Sequence, residues 1–219
     1  MENTTGIRIT QRDYKFAIAA GLLIGLLLLP VLKTASPALY AKFYIVIIPL
    51  FLLATPVGLR IAFIIGQKIA VIYQIAKFGV IGVGNVLVDL GVLSLITILS
   101  NSYFQIETKD AVLGAITFYS LFKAASFIVA NINSYFWNKY WTFDQGEKKQ
   151  TKSEFLQFFA VSVVGFLINV FVASVVFNMI IGSLVSMTGG QLGLIGAAAG
   201  SIAGLVWNFL GYKLWVFKK

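Results

Sequence analysis

Lys139-Tyr140-Trp141-Thr142-Phe143 and Lys213-Leu214-Trp215-Val216-Phe217 close two apolar stretches with one pattern, K-x-W-x-F. Each ending sets a cation and two aromatic rings where an apolar helix would leave a bilayer, because amphipathic rings and a long basic stem prefer the headgroup layer. Upstream, Phe78, Gly82, Asn85 and Asp89 fall at the intervals of Phe158, Ser162, Gly165 and Asn169. The offset is 80 at these starts and 74 at the endings, so the difference belongs in the link within each copy, where insertions are tolerated best. The pattern predicts a helical hairpin copied once, over 78–143 and 158–217.

Composition sets the solvent. With 59% hydrophobic and 11% charged residues, a 219-residue chain cannot cover its apolar side chains with a polar surface. A spanning helix needs roughly 20 apolar residues. Six candidates lie near 16–32, 43–59, 78–99, 111–137, 155–180 and 191–212, which predicts an all-α membrane protein with six transmembrane helices. Lys and Arg collect in short cytoplasmic links. Thirteen of the 17 lie before the first span or after the second, fourth and sixth, and only Lys33, Lys42 and Lys109 lie in the opposite links. The alternation places the protein in the cytoplasmic membrane as a multi-pass chain with both termini cytoplasmic, and it makes the two hairpins a parallel repeat.

Three further segments come from the same reading. Arg8 to Lys15, an apolar run and Ser36-Pro37-Ala38 resemble a signal peptide, but the run from Phe16 to Leu32 is longer than most signal cores; cleavage near residue 38 and retention as a first span leave the remaining topology the same. Pro49 and Pro56 predict a kink or early end in the second span. Beyond it, Arg60, Gln67, Gln74 and Lys77 recur near one face, which suits a cytoplasmic interfacial amphipathic helix over 60–77; the alternative is a tilted continuation of the second span with Arg60 snorkelling. The expected organisation is an N-terminal two-span hairpin at 1–59, the linker helix at 60–77 and a four-span core at 78–219.

The chain has no cysteine and no histidine, which removes disulfides, thiolate chemistry and the commonest general base and metal ligand. No cofactor or metal site is expected, and no enzyme activity. The net charge of +9 brackets apolar runs instead of gathering on one surface, so anionic membrane lipids, not nucleic acid, are the expected partner. Gly200 to Gly204 is a G-x-x-x-G whose usual meaning is close helix packing, and no phosphate-binding loop follows any glycine-rich turn.

Two ionisable residues stand where lipid should be. Asp89 lies about half way along the third span and Lys123 half way along the fourth, and antiparallel neighbours at 1.5 Å per residue bring them to one level. Charges at that depth cost several kcal/mol unless paired or used. One reading is a salt bridge that locks two helices; the other is a cation offered to an anionic substrate, with Asp89 holding it between binding events. The second copy has Asn169 for Asp89 and Ala197 near Lys123. Asn85, Asn131, Asn133, Ser134 and Asn138 enrich the charged half in amides, and Asn208 marks the last helix; such groups bind sugar hydroxyls or tie helices together.

These residues carry a resemblance. From about Lys77 to Phe217 the chain resembles the GtrA-like family of small four-span membrane proteins, through Phe78 to Gly91, Lys123, Asn138 to Phe143, and Asn208-Phe209 to Phe217. The first 76 residues are an addition to that pattern, and Ser134 stands where the first copy would be expected to carry the Asn seen as Asn208. The resemblance implies flipping of a polyprenyl-phosphate-linked sugar across the membrane for cell-surface polysaccharide synthesis. It also implies pairing with a polyprenyl-phosphate glycosyltransferase; the alternative role is a subunit that anchors this enzyme without moving lipid. On this reading Lys123, Asp89, Asn85, Asn131, Ser134, Asn138, Asn169 and Asn208 contact the headgroup. Lys139, Lys213 and Lys77 gather the phosphate at the cytoplasmic mouth, and a homodimer completes a thin four-helix core.

Overall fold

The computed structural model describes residues 6–113, 116–145, 151–181 and 189–218. They form six α-helices: α1 (Gln11–Ala35), α2 (Pro37–Gly66), α3 (Ala70–Phe104), α4 (Phe118–Trp137), α5 (Lys152–Ile181) and α6 (Gly189–Gly211). Two short antiparallel strands, β1 (Ala111–Leu113) and β2 (Ile116–Thr117), sit in the link between α3 and α4. Among the described residues four helical segments are long and apolar enough to cross a membrane: Gln11–Lys33, Pro37–Gly66, Ala70–Phe104 and Lys152–Val176. α4 is not one of them, because Lys123, Asn131, Asn133 and three serines dilute its apolar content.

The chain divides into two compact units, 1–144 and 145–219. In the first, α1 and α2 form a hairpin around Ser36, which ends α1 and precedes a helix-starting Pro37. Their axes approach closely at Gly21, where a Cβ would run into the Phe51 carbonyl. α3 packs on both helices and α4 packs on α3. The core at one end of this unit joins Ala17 and Ala20 of α1, Leu59, Ala62 and Phe63 of α2, Tyr73 and Ile81 of α3, and Trp141 just beyond α4. Residues 1–59 are therefore packed in the same compact unit as the first copy.

Three expectations give way to the coordinates. There is no separate helix over 60–77: residues 60–66 finish α2, 67–69 turn, and 70–77 begin α3. The reason is burial, since Tyr73, Lys77 and Phe78 turn inward and leave no continuous polar stripe for an interface. Neither Pro49 nor Pro56 ends α2, which runs unbroken through both. The fourth helix starts at Phe118, not near 111, because β-branched Ile116 and Thr117 stay extended and Phe118 and Tyr119 donate their N–H groups back to the Asp110 and Thr108 carbonyls.

In the second unit α5 and α6 pack at very short range. A Cβ on Gly200 would strike the Asn169 carbonyl, and one on Gly204 would lie 2.9 Å from the Gly165 carbonyl. Gly200→Leu is expected to force the pair apart and cost about 1–3 kcal/mol, the usual range for overpacking. A thermal unfolding midpoint in detergent that stays at the wild-type value would show that the helices give way freely.

The two K-x-W-x-F endings fold alike. Asn138–Thr142 and Tyr212–Val216 each form a widened π-turn, closed by Phe143 N–H donating to Asn138 O at 2.9 Å and Phe217 N–H to Tyr212 O at 2.7 Å. Lys139 lies over the Tyr135 ring at 5.7 Å and Lys213 over the Phe209 ring at 5.5 Å, four residues back in both cases. Their surroundings differ: Trp141 is 2% exposed, under Phe16 of α1, whereas Trp215 is 52% exposed.

Candidate functional site

Asp89 and Lys123 form an ion pair between α3 and α4. Helix geometry made this meeting predictable, but the third member was missed. Ser126, fully buried, donates its hydroxyl to the second Asp89 oxygen at 2.6 Å. Its position three residues after Lys123, on the same helical face, was the available signal. The carboxylate is thus held from both sides, with its side chain 19% exposed, while the Lys123 side chain is 41% exposed. The cation is paired but reachable.

Asn85 stands one helical turn before Asp89, and its amide oxygen is buried without a hydrogen-bond partner among the described residues. The other amides of this unit turn to their own helix. Asn131 donates to Phe127 O at 2.9 Å, Asn133 accepts from the Trp137 indole at 3.1 Å, and Asn138 donates to Ser134 O at 2.9 Å and Oγ at 3.1 Å. Lys139 is completely buried, its Nζ 3.5 Å from the Tyr135 hydroxyl. Asn169, Asn208 and Lys213 belong to the second unit. There Asn169 packs on Gly200 and Gly204, Asn208 fills the space over Gly165, and the Asn208 amide oxygen is also buried without a partner among the described residues. The geometry thus joins Asp89, Lys123 and Ser126, with Asn85 one turn away; Asn131 lies within α4 and bonds its own helix, Ser134, Asn138 and Lys139 stand near or just beyond the end of α4, and the others belong to the second unit.

A second buried ion pair went unread in the sequence. Lys77 donates to Asp13 Oδ1 at 2.5 Å, both residues being under a tenth exposed. The other Asp13 oxygen takes the Thr10 N–H at 3.0 Å and hydroxyl at 2.9 Å, closing a capping box at the start of α1. Lys77 also lies over the Tyr73 ring at 4.4 Å. Nearby, Arg12 binds Asp144 at 3.0 Å and Tyr140 O at 2.8 Å. Among the described residues no group of three acidic side chains is placed to hold a metal ion.

Long apolar helices, ion pairs between them and aromatic endings define an all-α, membrane-embedded protein. The model of the GtrA/DPMS transmembrane domain matches residues 77–217, and the chain belongs to that family. It is also similar to the uncharacterized membrane protein YngA of Bacillus subtilis (strain 168), with 30% identity over 147 residues, covering 67% of this chain and 80% of that protein. No solved structure matches significantly. The family match begins at Lys77, so the Asp13–Lys77 bond joins the N-terminal addition to the first residue of the shared domain.

Proposed function

We propose that this protein moves a polyprenyl-phosphate-linked sugar across the cytoplasmic membrane for cell-surface polysaccharide or glycoconjugate synthesis, as a carrier and not an enzyme. The observation that carries the reading is the Asp89–Lys123–Ser126 cluster: a cation half way along α4, paired with an Asp89 carboxylate whose side chain is 19% exposed while its own is 41% exposed. A salt bridge that only tied helices would gain from hiding both charges. Membership of the GtrA/DPMS family supports the substrate class.

In this proposal α4 and α6 complete six spans, both termini are cytoplasmic, and the hairpins are parallel copies. The phosphate meets Lys123 when it displaces Asp89. Asn85 offers an amide to the sugar, and the prenyl tail stays among lipid chains. Lys139 and Lys213 act near the cytoplasmic mouth. Parallel repeats lack the exchange of equivalent states that inverted repeats provide, so a groove or a homodimer is the fitting device. A membrane subunit that anchors a polyprenyl-phosphate glycosyltransferase is the competing role.

Liposomes that contain the protein and a labelled polyprenyl-phosphate sugar test the two. Carriage predicts that an outside reagent reaches the inner-leaflet pool faster than in empty liposomes; a folded protein without that acceleration would sink it. Anchoring predicts that Asp89→Asn and Lys123→Ala leave transferase recruitment and glycosylation intact.

A further inference from the structure

Lys77 is a second cation of the first unit whose surroundings suit an anion larger than the one it holds. Asp13 reaches it from 64 positions upstream, and both carboxylate oxygens are engaged, one by Lys77 and one by Thr10. Around the same end of the unit stand hydrogen-bonding groups that this carboxylate leaves unused. The Trp141 indole N–H and the Thr142 hydroxyl are buried, 2% and 5% exposed as residues, and have no hydrogen-bond partner among the described residues. Trp141 packs in one cluster with Tyr73, and Thr142 is tied through its carbonyl to Gln74 at 3.2 Å, so both flank the helical turn that carries Lys77. The Tyr73 hydroxyl is close to Asp13 without a well-formed hydrogen bond.

A buried indole N–H can only donate, and leaving such a donor unmade costs about 1–3 kcal/mol. Two oxygens cannot serve an ammonium, a cap and these donors together; a phosphate, with three or four oxygens around one centre, can. The π-turn supports this view, since it sets Trp141 and Thr142 after Asn138 and interrupts the regular ladder at the point where the site is built, as such turns often do at functional sites.

We propose that Lys77, Trp141 and Thr142 form a phosphate site and that Asp13, supplied by the N-terminal addition, is its built-in competitor. A phosphate enters when the first turn of α1 lifts and takes Asp13 away. The idea rests on the carrier reading only for the importance of a lipid phosphate. A resident competitor lowers apparent affinity by the fraction of time for which the site is free, so removing it raises binding by the inverse of that fraction, roughly 10- to 100-fold for a site open 1–10% of the time.

The test measures binding of farnesyl phosphate, and separately of inorganic phosphate, to the full chain in nanodiscs. Asp13→Asn removes the charge and keeps a single acceptor oxygen, enough for Lys77 or for the cap but not for both, and it is expected to bind at least about 10-fold more tightly. Thr10→Ala, at an exposed residue, loosens Asp13 without touching Lys77 and should give a smaller gain even if Asp13→Asn folds poorly. Adding Lys77→Met to Asp13→Asn should abolish the gain. Unchanged or weaker binding in the folded Asp13→Asn and Thr10→Ala proteins, or a gain that survives Lys77→Met, overturns the proposal. A gain shared by inorganic phosphate supports a site for the bare anion, and a gain confined to farnesyl phosphate supports a site for the lipid headgroup. A wild-type protein that shows this behaviour but fails in the liposome assay removes the carrier reading and keeps the site; a protein that carries sugar but shows no gain does the reverse.

Discussion

Replacing Lys123 by Ala alone is expected to destabilise the protein by about 3 kcal/mol, whereas replacing both members, Asp89→Asn with Lys123→Met, is expected to stay within about 1 kcal/mol of wild type. The asymmetry follows from the medium. The single change leaves a carboxylate between two helices with only the Ser126 hydroxyl to hold it, and lipid supplies no water to replace the ammonium. The double change removes both charges and leaves an amide that still accepts from Ser126, beside a flexible apolar chain of Lys length. Reversible unfolding in mixed micelles reads the stabilities, and the liposome assay reads transport in the same preparations. Carriage predicts that the stable double variant no longer accelerates transfer, because no cation remains for the phosphate. Full transport in that variant would reduce the pair to a helix tie. A double variant as unstable as Lys123→Ala would show that the cost lies in packing, not charge.

The ion pair illustrates what one sequence reveals. Asp89 and Lys123 were legible because a charge in an apolar run stands out and helix rise fixes its depth, so two such charges in antiparallel neighbours can be matched by counting. Asp13 and Lys77 were not. Both lie in segments dense with other charges, Arg12 and Lys15 beside one and Arg60 and Lys68 before the other, where a polar residue normally means headgroup or water. Only the fold shows that they face inward. Ser126 was invisible for a similar reason, since serines are common in α4 and only the partner helix singles one out. The endings are legible as interface anchors; the structure adds a second property, a π-turn that recurs at the same register in both K-x-W-x-F copies and that their aromatic and basic character alone does not announce. Of the kink or early end expected at the prolines of α2, the early end does not occur. A proline removes one backbone bond, and in a helix fixed against α1 at Gly21 and Gly25 that loss does not stop the chain from continuing.

Deleting residues 1–69 is expected to abolish recovery of folded protein, even though the family match begins at residue 77. The loss is not simply one of apolar packing. In the membrane, Trp141 uncovered by Phe16, and Gly84 and Gly91 uncovered by Ile24 and Leu27, would meet lipid chains as apolar as the side chains they lost. Those contacts contribute shape and dispersion, each of modest size. Lys77 is different: without Asp13 its ammonium loses the carboxylate that holds it, and breaking a buried pair from one side costs about 3–5 kcal/mol. Charge, not area, should therefore dominate the failure, and this makes the expectation specific. The truncated chain should run as an aggregate in detergent size exclusion, and Lys77→Leu in the same truncation should recover part of the monodisperse peak by removing the orphaned charge. If the plain truncation is already monodisperse and as heat-resistant as the full chain, α1 and α2 are an accessory to the family domain. If it aggregates and Lys77→Leu recovers nothing, the helix contacts outweigh the ion pair, and the N-terminal hairpin is needed chiefly as a packing wall.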